Sequence, residues 1–198
     1  MIDKVLLWNI RSVKSQNAFE RVIDLHKRHH YSYITILEPF QNPSEIERYK
    51  GKLGLQHARA NYSSKIWIFW DENWEEEGMT NNIQQLTINF ILRGTQDIFI
   101  VTAVYTRCSA LERLKLWENL ETMVGQNYPW LVGGDFNTIV EEIEKLGGLP
   151  VTQSETHDFI QCVNSYALTE LRYMGSTYTW WNGRIEEDCI FKRLDSLW

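Results

Sequence analysis

Cysteine is scarce in this 198-residue chain, which contains three: Cys108, Cys162 and Cys189. An odd number without the paired spacing of metal ligands argues against a disulfide framework and against a zinc site. Reduced thiols are typical of proteins in the nucleus or the cytoplasm. The cysteine content therefore predicts an intracellular location, nuclear or cytoplasmic.

Long hydrophobic runs are missing as well. No stretch approaches the roughly 20 apolar residues that a helix needs to cross a membrane. The first residues also lack the basic region and apolar core of a signal peptide. We therefore expect no membrane association.

The chain has no excess of positive charge. Lys and Arg number 20 and Asp and Glu number 26, for a formal net charge of −6. This balance argues against a basic surface that coats nucleic acid, but it leaves room for a local basic groove. The hydrophobic content of 43% and the nine tryptophans predict one soluble domain over residues 1–198 with a sizeable core.

The stretch of most chemical interest is residues 130–137, Trp-Leu-Val-Gly-Gly-Asp-Phe-Asn. Its apolar part predicts a buried strand that ends in two glycines, followed by Asp135 and Asn137. Side chains alternate along extended backbone, so both could point the same way and hold a metal-bound phosphate. A strand that simply ends in a turn explains the same residues, because Asp, Asn and Gly are common in turns.

Other predicted strands also carry polar residues where they end. These residues are Asn9, Arg11, Glu38, Tyr105 and Asp195. Carboxylate and amide oxygens suit Mg²⁺, which completes its octahedron with water and phosphate oxygens. Such an ion could polarise a phosphodiester. The Tyr105 phenol could hydrogen-bond a phosphate oxygen or a catalytic water, although a half-buried strand tyrosine would look the same.

Strands and helices are interspersed along the chain. Apolar runs predict strands over Tyr33–Leu37 and Ile66–Trp70, and an antiparallel pair over Leu86–Leu92 and Ile98–Tyr105. The acidic stretch Asp71–Glu77 is expected to be a solvated turn, because clustered carboxylates repel one another. This mixture predicts a layered α/β sandwich.

Helix signals occur between these strands. One helix is predicted around Pro43 to Lys52, with Ser44 as its N-cap. A second is predicted from Ser109 to Met123, with Ser109 as N-cap and Glu112 completing a capping box. A further helix is predicted near Ser154–Ser165, and the final segment from Ile190 to Trp198 has a strand-like pattern.

Six short stretches, taken in order, resemble a known family. The chain is similar to the endonuclease/exonuclease/phosphatase superfamily, with the DNase I-like fold, and most like the endonuclease domain of plant LINE-type retrotransposons. The resemblance spans nearly the whole chain and implies a four-layer α/β/β/α sandwich. The stretches are residues 7–11 (Leu-Trp-Asn-Ile-Arg), 37–39 (Leu-Glu-Pro), 104–105 (Val-Tyr), 133–137 (Gly-Gly-Asp-Phe-Asn), 178–180 (Tyr-Thr-Trp) and 193–195 (Arg-Leu-Asp).

The resemblance also implies roles for individual residues. Glu38 would be a ligand of Mg²⁺ or Mn²⁺, with Asn9 beside it. Asn137 and Tyr105 would hold the scissile phosphate and its neighbours. Asp135 would orient or deprotonate the attacking water.

The family's aspartate that orients a catalytic histidine matches Asp195. The sequence ends three residues later, before the Ser-Asp-His segment that carries this histidine. The five histidines of the chain match no catalytic position, so we expect them to be surface or packing residues. We also expect a sandwich truncated at its C-terminal strand, with a homodimer or a protein partner covering the open edge.

Two functions from different classes follow. The first is a metal-dependent endonuclease that hydrolyses DNA phosphodiesters; the second is a catalytically degenerate retrotransposon-derived domain that binds nucleic acid or protein. Phosphatase activity on a small molecule is a third possibility within the fold. For DNA contact the candidates are Arg11, Arg107 and Trp180, although solvated arginines and a packed tryptophan are the plainer interpretations.

Overall fold

The computed structural model describes residues 4–172 and 175–198. Its backbone contacts divide the chain into two compact units, Met1–Tyr105 with Tyr128–Gly134 and Thr106–Asn127 with Asp135–Trp198. We call them the first unit and the second unit. No helix in the described part of the chain is long and apolar enough to cross a membrane.

The first unit contains a four-stranded sheet in the order β1-β2-β4-β3. The neighbours β1 and β2 are parallel, and the other neighbouring pairs are antiparallel. The parallel pair places Asn9 beside Leu37, one residue before Glu38. The strands are β1 (Val5–Asn9), β2 (Tyr33–Leu37), β3 (His57–Ala60) and β4 (Ile66–Trp70).

One face of this sheet is covered by helices α1 (Gln16–His29) and α2 (Ile46–Leu53). Phe19, Ile36 and Trp67 are buried in the shared core. A 3₁₀ turn over Pro43–Glu45 precedes α2, and Asn42 accepts a hydrogen bond from the Ser44 amide. The predicted cap at Ser44 was therefore wrong, because an Asn two residues earlier makes the turn.

The opposite face packs on a second sheet, in which four strands of this unit follow the order β8-β7-β6-β5. Apolar residues of the two sheets, among them Leu37, Ile68, Leu86 and Val101, form one core. The predicted antiparallel pair is confirmed as β6 and β7. The strands are β5 (Trp74–Asn81), β6 (Gln85–Leu92), β7 (Ile98–Tyr105) and β8 (Trp130–Asp135).

The acidic stretch belongs largely to β5, so the predicted solvated turn was wrong. Trp74 is 5% exposed and lies against Phe90, which anchors the strand. Two of the carboxylates pair with arginines: Glu75 with Arg93 and Glu76 with Arg59, each at 3.0 Å. Alternation of buried and solvated side chains therefore relieves the repulsion that favoured a turn.

The second unit contains helices α3 (Ala110–Glu121) and α4 (Gln153–Ser165). Trp117, Phe136 and Phe159 stack between them, with ring centroids 4.8 to 6.4 Å apart. Ser109 is the N-cap of α3, but its side chain makes no capping hydrogen bond, so the predicted capping box is not formed.

The remaining strands of the second unit are short. β11 lies between β10 and β9 in an antiparallel sheet, and the predicted C-terminal strand is interrupted between Lys192 and Asp195. The strands are β9 (Lys145–Leu146), β10 (Trp180–Trp181), β11 (Phe191–Lys192) and β12 (Asp195–Leu197).

Candidate functional site

In the first unit, backbone hydrogen bonds tie together the loops that follow β1 and β2 and the turn that precedes β4. The Val13 amide donates to the Pro39 carbonyl at 2.9 Å, and the Glu38 amide donates to the Lys65 carbonyl at 2.8 Å. Segments far apart in sequence thus meet around Glu38. We call this group of residues, namely Asn9, Arg11, Glu38, Lys65 and Tyr105, the Glu38 centre.

Three donors or cations surround the Glu38 carboxylate, whose side chain is 13% exposed. The Tyr105 hydroxyl donates to Oε1 at 2.5 Å. The Lys65 ammonium lies 3.6 Å from the same oxygen, and Arg11 Nε lies 4.0 Å from Oε2. The two cations among them create a positive potential that would attract a phosphate.

Backbone strain is concentrated in the same loops. Five residues other than glycine have positive φ there: Arg11 (51°), Ser12 (136°), Glu38 (50°), Phe40 (45°) and Ser64 (57°). Such conformations cost about 1–3 kcal/mol each and persist where the surrounding structure enforces them, commonly at functional sites. The positive φ angles therefore show that packing around these loops holds their backbone in a conformation that it would not adopt alone.

Glu38 and Asn9 fit a hard divalent cation by their chemistry, since Mg²⁺ takes one or two carboxylates and fills its other positions with neutral oxygens. Register places Asn9 beside Leu37, next to Glu38. Among the described residues, no three His, Cys, Asp or Glu side chains form a metal-binding group. The carboxylate and amide of the Glu38 centre are thus the donor set that the first unit offers.

Lys65 was not predicted from the sequence to belong to this site. Its side chain lies 4.0 Å from the centroid of the Phe40 ring and 5.7 Å from that of Tyr105. The antiparallel partner of Leu37 is Ile66, so Lys65 precedes β4 where Glu38 follows β2. The register of β4 against β2 was the one signal that could have identified Lys65 as a neighbour of Glu38.

In the second unit, Asp135 and Asn137 form a turn. Asp135 ends β8, and its Oδ1 accepts a hydrogen bond from the Asn137 amide at 3.0 Å. Asn137 has φ of 47°, so the backbone is no longer extended and the alternation argument does not hold there. The turn and the chemical interpretation are compatible, because the two oxygens of a carboxylate can serve different partners.

Arg113 of α3 holds the loop that carries these residues. It is 4% exposed, and its guanidinium donates to the carbonyls of Cys108 at 2.7 Å and of Asn137 at 3.3 Å. The side-chain amide nitrogen of Asn137 in turn donates to the Thr106 carbonyl at 2.8 Å. Asn137 is therefore rigidly oriented by its own loop, a role for Arg113 that the sequence did not indicate.

A cleft of about 490 Å³ lies beside this loop within the second unit. Its lining includes Asn137, Trp180 and Lys192, together with Arg113 and Lys145. The structure thus brings the predicted Asn137 and Trp180 together. Arg107 is exposed on the preceding loop and is not among the described residues that line the cleft.

The residues around Asp195 make contacts that hold the fold together. The Thr179 hydroxyl accepts hydrogen bonds from the amides of Leu194 and Asp195, at 3.0 and 3.1 Å. Arg193 is 7% exposed, and its guanidinium contacts Glu144 and Glu170. Arg193 therefore joins two other segments to the strand that carries Asp195.

Several histidines pack against aromatic rings. His26 and His29 lie near Tyr31, with ring centroids 6.4 and 5.7 Å apart, and His57 stacks on Trp70 at 5.3 Å. Burial lowers the pKa of His26. These environments suit the packing role expected from the sequence.

Solved structures identify the class of fold. A protein of the endonuclease/exonuclease/phosphatase family from Bacteroides thetaiotaomicron aligns with 98% of this chain and 81% of its own, at a TM-score of 0.63 and 11% identity. The chain therefore has a DNase I-like α/β sandwich fold, which confirms the fold class that the resemblance implied.

Two particular structures share this fold. The endonuclease domain of TRAS1, a telomere-specific non-LTR retrotransposon, aligns with 98% of this chain and 82% of its own (TM-score 0.68, 14% identity). The mannosyl-6-phosphatase Bt3783 from Bacteroides thetaiotaomicron VPI-5482 aligns with 98% and 83% (TM-score 0.65, 12% identity). Neither a protein-family model nor a curated protein sequence matches the chain.

Proposed function

We propose that this chain is a divalent-metal-dependent endonuclease that hydrolyses phosphodiester bonds of DNA. The observation that carries the proposal is the Glu38 centre, in which a carboxylate at a strand end is held by the Tyr105 phenol beside two cations. Nucleases and phosphatases share the fold, which supports hydrolysis of phosphate esters as the general reaction.

The metal would be held by Glu38 and Asn9, the oxygen donors of the Glu38 centre. Mg²⁺ or Mn²⁺ suits this set, because one carboxylate and one carboxamide leave positions for water and phosphate oxygens. When bound, the ion would polarise the phosphodiester and stabilise the charge on the leaving oxygen.

The reaction needs a water that attacks phosphorus and a group that takes its proton. We assign the proton to the Asp135 carboxylate, which is 5% exposed and shielded from bulk water. The P–O bond to the leaving oxygen then breaks, and that oxygen takes a proton from solvent. No covalent bond to the protein forms. Asn137 would donate a hydrogen bond from its side-chain amide to a phosphate oxygen. Tyr105, whose single hydroxyl proton is donated to Glu38, would act beside the phosphate by orienting that carboxylate.

A nucleic-acid substrate is favoured over a small phosphate ester by the cleft of the second unit. Trp180 offers a ring on which a base could stack, and Lys192 a charge for a neighbouring phosphate. Arg11 and Arg107 are further phosphate contacts in this proposal. Asp195 is proposed to take the place of the family's aspartate that orients a catalytic histidine. Residues 1–198 are proposed to form a single catalytic domain.

Nicking of supercoiled plasmid tests the proposal. The purified chain with Mg²⁺ should convert supercoiled DNA to the open circular form, EDTA should stop it, and Glu38→Ala and Asp135→Ala should each lower the rate about a hundredfold or more. Lys115→Ala, an exposed residue of α3, serves as the control. Equal nicking by all variants would reject the proposal, since a contaminating nuclease would then explain the cleavage.

A second candidate is a binding domain that no longer cleaves, and the position of Lys65 favours it. An ammonium 3.6 Å from Glu38 competes with a cation for the carboxylate. DNA binding without nicking in Mg²⁺ or Mn²⁺ would support this candidate. The predicted homodimer or protein partner remains a separate prediction, which light scattering of the purified chain tests.

A further inference from the structure

A second feature of the first unit is a groove between α1 and α2 with a volume of about 720 Å³. We call it the α1–α2 groove. Among the described residues, four cations line it against one carboxylate, Glu20. The cations are Lys14, Lys27, Arg48 and Lys52. Arg48 also pairs with Glu45 at 3.4 Å, but the charge of the lining remains positive, opposite in sign to the net charge of −6 of the whole chain.

The floor of the groove is rigid and apolar. Phe19 and Tyr49 are 3% and 5% exposed, and their rings meet edge to face at 4.7 Å. Lys52 Nζ lies over both rings, at 5.4 Å from Tyr49 and 5.8 Å from Phe19. Contact with the ring faces holds this ammonium at the groove. Phe19 and Tyr49 are too buried to stack with a ligand, so a ligand in the groove would contact mainly its cationic side chains.

The groove leads towards the Glu38 centre. Lys14 and Gln41 line it and also line an adjoining pocket of about 360 Å³. That pocket includes Phe40 and Lys65, whose ammonium is 3.6 Å from Glu38. Phe40 is 45% exposed and carries the Lys65 ammonium on one face of its ring, so a base would stack on the other face. Cations and an exposed ring thus follow one another from Glu38 to the far end of the groove.

We propose that the α1–α2 groove is a binding site for the backbone of a nucleic-acid strand that extends from the Glu38 centre. Spaced cations along an open path suit successive phosphates, and an exposed ring at the entrance suits a single strand with accessible bases. The proposal depends on the proposed function only for the choice of nucleic acid as the ligand. An acidic peptide is the competing ligand of similar charge.

Binding without catalysis tests the site. Fluorescence anisotropy with a fluorescein-labelled single strand of about 20 nucleotides, in EDTA, should show the double variant Lys27→Gln, Arg48→Gln binding about tenfold more weakly than the parent chain. The salt dependence should also become shallower, by about 1.4 in the slope of log K against log salt, which corresponds to two phosphate contacts on a single strand. Glu20→Gln, which removes the carboxylate of the groove, should tighten binding.

The matched control is Arg28→Gln, Lys115→Gln, which removes the same charge from exposed positions outside the lining. It should change affinity less than twofold. Parent-like affinity and salt slope in the groove variant would overturn the proposal. The proposal would also be overturned if the parent chain bound a fluorescent poly-glutamate peptide more tightly than DNA and the groove variant lost this peptide binding.

Glu38→Ala separates this proposal from the proposed function. In EDTA it should bind the strand at least as tightly as the parent, because it only removes negative charge near the path. If the parent binds DNA through the groove but does not nick plasmid, the groove stands and the endonuclease proposal fails. If it nicks normally and the groove variant binds normally, the endonuclease stands and the groove fails.

Discussion

The Tyr105 hydroxyl donates a 2.5 Å hydrogen bond to Oε1 of Glu38. The bond joins the last residue of β7 to the residue that follows β2, so it spans the two packed sheets of the first unit. A hydrogen bond to a charged acceptor contributes about 1.5–3 kcal/mol when the pair is shielded from water. This bond therefore orients the carboxylate to which we assign the metal.

Tyr105→Phe removes this donor and keeps the ring. The free energy of unfolding should fall by about 1–3 kcal/mol in urea denaturation, and nicking should slow about tenfold or more because Glu38 loses its orientation. Tyr62→Phe is the control, since Tyr62 is 76% exposed. A Tyr105 variant as stable and as active as the parent would show that the bond has no role.

Lys65→Met should increase affinity for a divalent cation at Glu38. The ammonium that lies 3.6 Å from the carboxylate is lost, and a charge at about this distance is worth about 1 kcal/mol or more, depending on the local dielectric. Calorimetric titration with Mn²⁺ should show a dissociation constant about fivefold lower. Lys115→Met should leave it unchanged. Weaker Mn²⁺ binding in Lys65→Met would contradict the assignment of Glu38 as a ligand.

Gly134→Ala should destabilise the fold. Gly134 has φ of +146°, and a Cβ there would lie 1.9 Å from the carbonyl oxygen of Val104. The loss should exceed about 2 kcal/mol, because backbone on the adjacent strand must move. Gly51→Ala is the matched control, since Gly51 lies in α2 with nothing within 4 Å. That variant should be neutral or more stable.

Arg193→Ala should lower the free energy of unfolding by about 3 kcal/mol, since it leaves the buried Glu144 and the half-buried Glu170 without their cation. Glu144 is 7% exposed, and burial raises the pKa of Glu170. Arg172→Ala, at an exposed position of the same unit, should have little effect. Thermal unfolding followed by circular dichroism measures both, and equal midpoints would refute a stabilising role for the Arg193 ion pairs.

Cys162 should resist alkylation while Cys108 reacts. Cys162 is 4% exposed, and burial raises the pKa of its thiol to about 12. At pH 8 the thiolate is therefore a very small fraction, since ionisation rises only as the pH approaches the pKa. Cys108 is exposed. Mass spectrometry after brief treatment with N-ethylmaleimide should locate the modification on Cys108, and early modification of Cys162 would contradict the packing described here.

The strands that frame the Glu38 centre were predictable from the sequence. Ile66–Trp70 is apolar throughout and Tyr33–Leu37 is apolar except for Thr35, a pattern produced by burial on both faces, and both are strands in the structure. The β5 strand was missed because its carboxylates masked the buried Trp74. Local charge patterns do not show which arginines of a neighbouring strand or turn will neutralise them.

Several strands, and the polar residues at their ends, could be predicted from the sequence, because side-chain periodicity and the limits that proline and glycine place on the backbone are local properties. The sequence did not predict that Lys65 lies beside Glu38, that Asn137 turns back on Asp135, or that cations from two helices line one groove. These arrangements depend on strand register and on loops that pack against each other, and no short stretch of sequence encodes either one.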